Sequence, residues 1–219
     1  MPKIKFSQRF TDHLVQAFLI FTSVFLAFWL TEIREEQKTK EVVRAALENI
    51  ASEMNHNHNR MVTTYLYHLE MIKQMDSLST NHPENFKKYY GYQLKDWKGV
   101  QIPMLRSSAF QTLLNSGVIE DIPFDIIKSI SNIYNSQSAI QRLDDSILEK
   151  ILNDKGFTTL SDIRHAFGLY AEILPDIITA YTVFGKKHIE SFGYNSDIED
   201  ELLKDLINSR VEYLNEYFN

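Results

Sequence analysis

The chain predicts an all-α fold: a single N-terminal transmembrane helix that continues as a long helix into a membrane-anchored helical bundle. Three observations carry that expectation. Residues 14–30, LVQAFLIFTSVFLAFWL, hold no charge, no Gly and no Pro. From Lys3 to His82 neither Gly nor Pro occurs, and those two residues are the chief helix breakers. Further on, apolar residues recur at spacings of three and four, and no stretch alternates as a strand does. The expected divisions are a short tail over 1–13, a transmembrane helix over 14–30, a helical stalk over 31–42 and a helical bundle over 43–219.

The apolar run is at the short end of what crosses a hydrocarbon core. Gln16, Thr22 and Ser23 weaken it, but a hydroxyl in a helix can bond back to the preceding turn. Trp29 falls where an interfacial indole would sit, and Glu32, Arg34, Glu35 and Glu36 close the run. A buried core helix is one rival, disfavoured because the run lacks periodicity. A cleaved signal peptide is the other, disfavoured because the run ends in Trp29-Leu30 rather than in small residues. Phe18, Phe21, Phe25 and Phe28 recur at 3-4-3 spacing and form one aromatic ridge. The ridge can pack on a partner helix or face lipid. Cationic residues flank both ends, Lys3, Lys5 and Arg9 before the run and Arg34, Lys38, Lys40 and Arg44 after it. Charge therefore does not decide the orientation, and a tail this short crosses or stays easily, which leaves only a lean towards an inside N-terminus.

Residues 31–41 are almost wholly polar, with Glu36 and Lys40 placed as an i,i+4 pair. They predict a solvated stalk about 16 Å long. Packing begins at Val43, and the series Val43, Leu47, Ile50, Met54, Met61, Tyr65, Leu69, Ile72 and Met75 marks the expected buried face. Its gap falls at His58, inside the otherwise polar run Asn55 to Asn59. A histidine there reads as a core residue bonded to a carboxylate on a facing helix. Residues 79–101 form the long irregular segment, punctuated by Pro83, Gly91 and Gly99. A short helix over 104–116 is closed by Gly117, and Pro123 opens a helix that runs to Leu152. Residues 160–192 read as helix with a break or kink at Pro175. Ser196 and Glu199 form a capping box for a last helix over 197–218.

Composition excludes several chemistries. A net charge of −6 gives no electrostatic case for nucleic acid. The absence of Cys removes disulfides, thiolate nucleophiles and cysteine metal sites. No phosphate-binding glycine loop, nucleophile elbow or HExxH motif is present. No cofactor is expected. Two ligand or partner candidates stand out. One is the aromatic 86–97 loop, with Tyr89, Tyr90, Tyr92 and Trp97 interleaved with lysines, for which a flap over the core is the simpler account. The other is Arg106, beside Ser107 and Ser108, which could meet an anion or a buried carboxylate. Glu53 and His56, three apart, are echoed by Asp162 and His165. Bundles hold paired metals with that spacing, but here one motif carries Asp, the further carboxylates are not evident, and solvated or hydrogen-bonded side chains are the simpler account.

Two stretches also resemble something known. SVFLAFWLTEIREEQK, residues 23–38, is an anchor running into a Glu- and Arg-rich helix. SSAFQTLLNSGVIEDIPFDIIKSISNIYNSQ, residues 107–137, has an S-x-A-F-x-x-L-x-x-S-G-x-I pattern before a long helix. Together they resemble a family of uncharacterised single-pass bacterial membrane proteins, known only as a domain of unknown function. The resemblance implies a bacterial inner-membrane protein with a cytoplasmic N-terminus and an extracytoplasmic helical domain. It supplies no catalytic residues.

The expected function is a membrane-anchored interaction or scaffold module, non-catalytic, held to the lipid bilayer through residues 14–30. Its partner would be another protein or a second copy. The alternative is a sensor or ligand-binding ectodomain using the aromatic loop and Arg106, with a helical-bundle metalloprotein a distant third. In a straight helix Ser79 would stand roughly 74 Å beyond Leu30, which favours a protein partner over lipid for that loop.

Overall fold

A computed structural model describes residues 8–83, 94–153 and 159–218, with side chains described for 12–83, 94–153 and 159–211. The described residues are mostly helical and contain no strand. There are five principal helices: α1 (Gln8–Asn81), α2 (Ser108–Asn115), α3 (Phe124–Leu152), α4 (Leu160–Ala180) and α5 (Glu201–Phe218). The chain divides into two units, Met1–Arg44 and Ala45–Asn219, and α1 contributes to both.

In the first unit, α1 contains an 18-residue window apolar enough to cross a membrane, and none of it is buried by the rest of the chain. The hydroxyls within and beside it bond back one turn. Thr22 donates to Phe18 O at 2.8 Å, Ser23 to Leu19 O at 2.7 Å and Thr31 to Ala27 O at 2.9 Å. That removes the polar groups least welcome in hydrocarbon. The four ridge phenylalanines are each between 60% and 70% exposed, and Phe21 stacks on Phe25 with ring centroids 6.5 Å apart. Lys40 and Glu36 pair at 2.6 Å along the solvated turns that follow.

The second unit is built on three seams of strict 3-4 spacing. On α1 the positions of the seam, all buried, are Leu47, Ile50, Met54, Asn57, Met61, Thr64, His68, Met71 and Met75, with Ala51, Glu53, His58 and Tyr65 buried beside it. On α3 they are Ile130, Ile133, Gln137, Ile140, Asp144 and Ile147. On α4 and just beyond they are Leu160, Ile163, Phe167, Tyr170, Leu174, Ile177 and Tyr181. A 3.5-residue period keeps one stripe on the partner helices over many turns. This is the packing logic of a helical bundle.

The α1 face differs from the expected series in its second half. Leu69 is 39% exposed and Met71 is buried instead. The seam keeps its period by accepting Asn57, Thr64 and His68, which an apolar count passes over. Ile151 is likewise exposed near the end of α3.

Element ends differ where side chains form bonds outside the helix. Residues 101–107 are an extended strap rather than the first turns of α2. Met104 in that strap takes the left-handed conformation, φ 49, which no helix start permits. Gly117 does supply the left-handed turn after α2, φ 71. Pro123 caps α3 from outside, with φ −53 and ψ 134, so that the helix begins at Phe124. Proline 175 does not break α4, which runs unbroken to Ala180. The irregularity comes later, as a π-helical turn at Tyr181–Gly185. A 3-10 turn follows at Glu190–Phe192. The Ser196–Glu199 box does not form the last cap. Asp200 does, its Oδ1 accepting from Leu203 N at 2.9 Å, and α5 starts at Glu201.

Candidate functional site

The chemistry-bearing residues of the second unit gather around the 101–107 strap. An extended segment crossing a bundle brings backbone N–H and C=O groups that no helix satisfies. Side chains from α1 and α3 satisfy them here.

The central layer is Asn57, Gln137 and Tyr181. Asn57 Nδ2 donates to Arg106 O at 2.7 Å, while Asn57 Oδ1 accepts from Arg106 N at 2.9 Å. The two bonds treat Arg106 as a strand partner would. Gln137 Nε2 donates to the same carbonyl at 2.8 Å. The Tyr181 hydroxyl donates to Gln137 Oε1 at 2.5 Å. Amide, amide and phenol are each satisfied, and each sits on a different seam.

On one side of this layer Glu53 receives three hydrogen bonds. Ser108 Oγ donates at 2.7 Å, Ala109 N at 2.9 Å and the Tyr134 hydroxyl at 2.7 Å. The carboxylate thus lies at the first turn of α2, where free N–H groups and the helix dipole favour an anion. Burial first, and then Glu53, push the Tyr134 phenol far above its ordinary range. It stays a donor.

On the other side Asp144 accepts from the Tyr170 hydroxyl at 2.7 Å and from Met104 N at 3.2 Å. Burial raises its carboxyl above the usual carboxylate range, and those two bonds oppose the rise. The Asp144 bond explains how Met104 is held in its left-handed conformation. Nearby His68 presents Nε2 to Gln101 O at 2.8 Å, so the proton resides on Nε2 and Nδ1 is bare. Its ring stacks on Phe167 at 4.0 Å and 14°. Burial holds it at about 4, the bond to Gln101 opposing.

The residues singled out from the sequence are dispersed. Tyr89, Tyr90 and Tyr92 lie outside the described residues. Trp97 is half-buried against Met71, Met75, Leu94 and Phe167, as a cover on the core. The Arg106 side chain is exposed, and its main chain is what the bundle grips. Glu53 and His56 part company, for Glu53 turns inward to α2 and α3. His56 lies near Arg60 and Arg106, and its imidazole is lowered by desolvation first and those cations next. Asp162 is the third residue of a capping box with Thr159, each side chain accepting the other's N–H at 3.1 Å, and His165 is exposed. Among the described residues no three His, Asp or Glu side chains gather as a metal would need. His58 is buried, but neither ring nitrogen has the expected carboxylate or any other partner.

Asn57, Gln137, Asp144 and Tyr181 escaped the sequence reading because a polar side chain does not mark a buried face in an apolar count. The available signal was their place on the 3-4 seams.

An open groove of about 280 Å³ lies elsewhere, lined by Tyr65, Leu66, Leu69 and Lys73 of α1 and by Asp200 and Leu202 at the start of α5. None of the layer residues lines it.

No family model, curated protein or solved structure matches the chain.

Proposed function

We propose that the protein is a membrane-anchored helical interaction module, attached through residues 14–30, whose bundle serves as a rigid docking body for a protein partner or a second copy. The observation that carries this reading is the apolar window of α1, which the rest of the chain leaves wholly unburied. So long an apolar surface on one helix needs a lipid or protein environment. The use of the buried polar groups supports a non-catalytic role. Glu53, Asn57, Gln137, Asp144 and Tyr181 bond one another, neighbouring phenols and the strap, an arrangement that fixes a bundle's register. Membership of the single-pass bacterial family, with the N-terminus in the cytoplasm and the bundle outside the inner membrane, belongs to the same proposal and rests on residues 23–38 and 107–137.

The test is purification of the full chain from membranes in detergent. It should resist carbonate extraction and bring down a stoichiometric protein or form a defined oligomer. A chain recovered monodisperse without detergent would refute the anchor. Stoichiometric metal lost on His56→Ala would refute the non-catalytic reading. For topology, a cysteine at Ser196 should be labelled by an impermeant maleimide in intact spheroplasts.

A further inference from the structure

Tyr194 enters the bundle from the connection between α4 and α5. Its ring is only 3% exposed. It lies so close to Gly185 that a Cβ there would stand 2.3 Å from Cε1, so glycine is needed at the end of the π turn for the ring to fit. On another side stands His58 of α1, with ring centroids 6.1 Å apart and an edge-on angle of 66°. The main chain on both sides of Tyr194 is held by one side chain. Asn55 Nδ2 donates to Gly193 O at 2.7 Å, and Asn55 Oδ1 accepts from Asn195 N at 2.8 Å. Asn55 and His58 are three apart, so a single turn of α1 grips both the ring and its backbone.

The grip is uneven. Neither nitrogen of His58 nor the hydroxyl of Tyr194 has a hydrogen-bond partner within the protein. Buried polar atoms without partners oppose the closed state, because water would satisfy them on opening. The backbone clamp is exposed, where water competes for it. Burial of the ring and of Leu203 and Ile207 on α5 favours closure.

We propose that Tyr194 is a releasable latch, and that the segment from Gly193 to the end of α5 opens from the bundle as one unit while α3 and α4 remain packed. Opening withdraws the ring from its slot at Gly185 and uncovers the apolar face of α5. The proposal does not depend on the membrane reading.

The experiment is hydrogen exchange with mass spectrometry on the full chain in detergent at neutral pH. Residues 193–211 should exchange through an opening of lower free energy than the one governing α3 and α4. Asn55→Ala should lower protection of 193–211 by roughly tenfold, the loss of two hydrogen bonds, and leave α3 unchanged. Tyr194→Phe removes an unpartnered hydroxyl and keeps the ring, so it should raise protection of 193–211. Exchange of 193–211 in step with α3 and α4 in the wild type would overturn the proposal. So would loss of protection in Tyr194→Phe, or an equal fall across α3 and 193–211 in Asn55→Ala.

Discussion

At the scale of residues, the bundle's distinguishing feature is how much rests on a few buried polar side chains. Asn57 is the sharpest case, since it serves both polar groups of Arg106 and also touches Gln137. Replacing it with Leu would leave Arg106 N without its partner and Gln137 and Tyr181 facing an apolar group. Each orphaned group costs about 1–3 kcal/mol. Asn57→Leu should therefore lower the urea midpoint substantially without changing the slope, and an unchanged midpoint would show the layer to be incidental. Gly185→Ala should destabilise by about 1–3 kcal/mol through overpacking, and Tyr194→Ala in the same chain should cancel that penalty, a non-additivity that unfolding curves of the four chains would reveal. The histidines make a pH prediction. Burial holds His58 and His68 at about 4, below the ordinary value of 6.5. Between those values the unfolded chain binds protons that the folded chain refuses, so stability rises with pH through that window. Acidifying from pH 6.5 to 4 should cost up to about 1.4 kcal/mol per pH unit per histidine. His58→Phe should flatten part of that slope in pH-dependent unfolding.

At the scale of elements, the long first helix and α3 were legible because composition and spacing specify them. A stretch as long as Gln8–Asn81 without Gly or Pro leaves little but helix, and the bounds of α3 follow from Pro123 and its apolar period. The strap was not legible. Nothing local in MLRS, after Pro103, forbids a helix; what holds it extended is Asn57, Gln137 and Asp144, distant in sequence. The start of α5 was hidden for a related reason, since Asp200 and Ser196 are equally good caps and tertiary packing chose between them. The face of α1 after Tyr65 gives a direct test of seam against hydrophobicity. Met71→Ala should cost about 2–5 kcal/mol, as deletion from a packed core does. Leu69→Ala should cost under about 1 kcal/mol, as surface changes do. Equal effects in denaturant titrations would restore the simple apolar series. The candidate site was the least legible of all, for its members are single polar residues whose meaning depends on partners many residues away.

At the scale of the whole molecule, burial is distributed so unevenly that the two units are expected to separate cleanly. Leu47 is the first buried residue among those described, and all the polar layers, the seams and the Tyr194 contacts follow it. The first unit offers its hydroxyls to its own backbone and its phenylalanines to the surroundings. Removing residues 1–44 therefore deletes no buried side chain among the described residues. It also removes the surface that demands detergent. A chain of residues 45–219 should be soluble, monodisperse and helical. Loss of exposed helix changes stability little, so its unfolding free energy should lie within about 1 kcal/mol of the full chain's in the same detergent. The ring current of stacked His68 and Phe167 gives a second, local readout, because shifted imidazole resonances should be the same in both chains. A truncated chain that is molten or aggregated would mean that the anchor helix contributes to the fold itself. A soluble full-length chain would mean that its apolar face is covered by a second copy rather than by lipid.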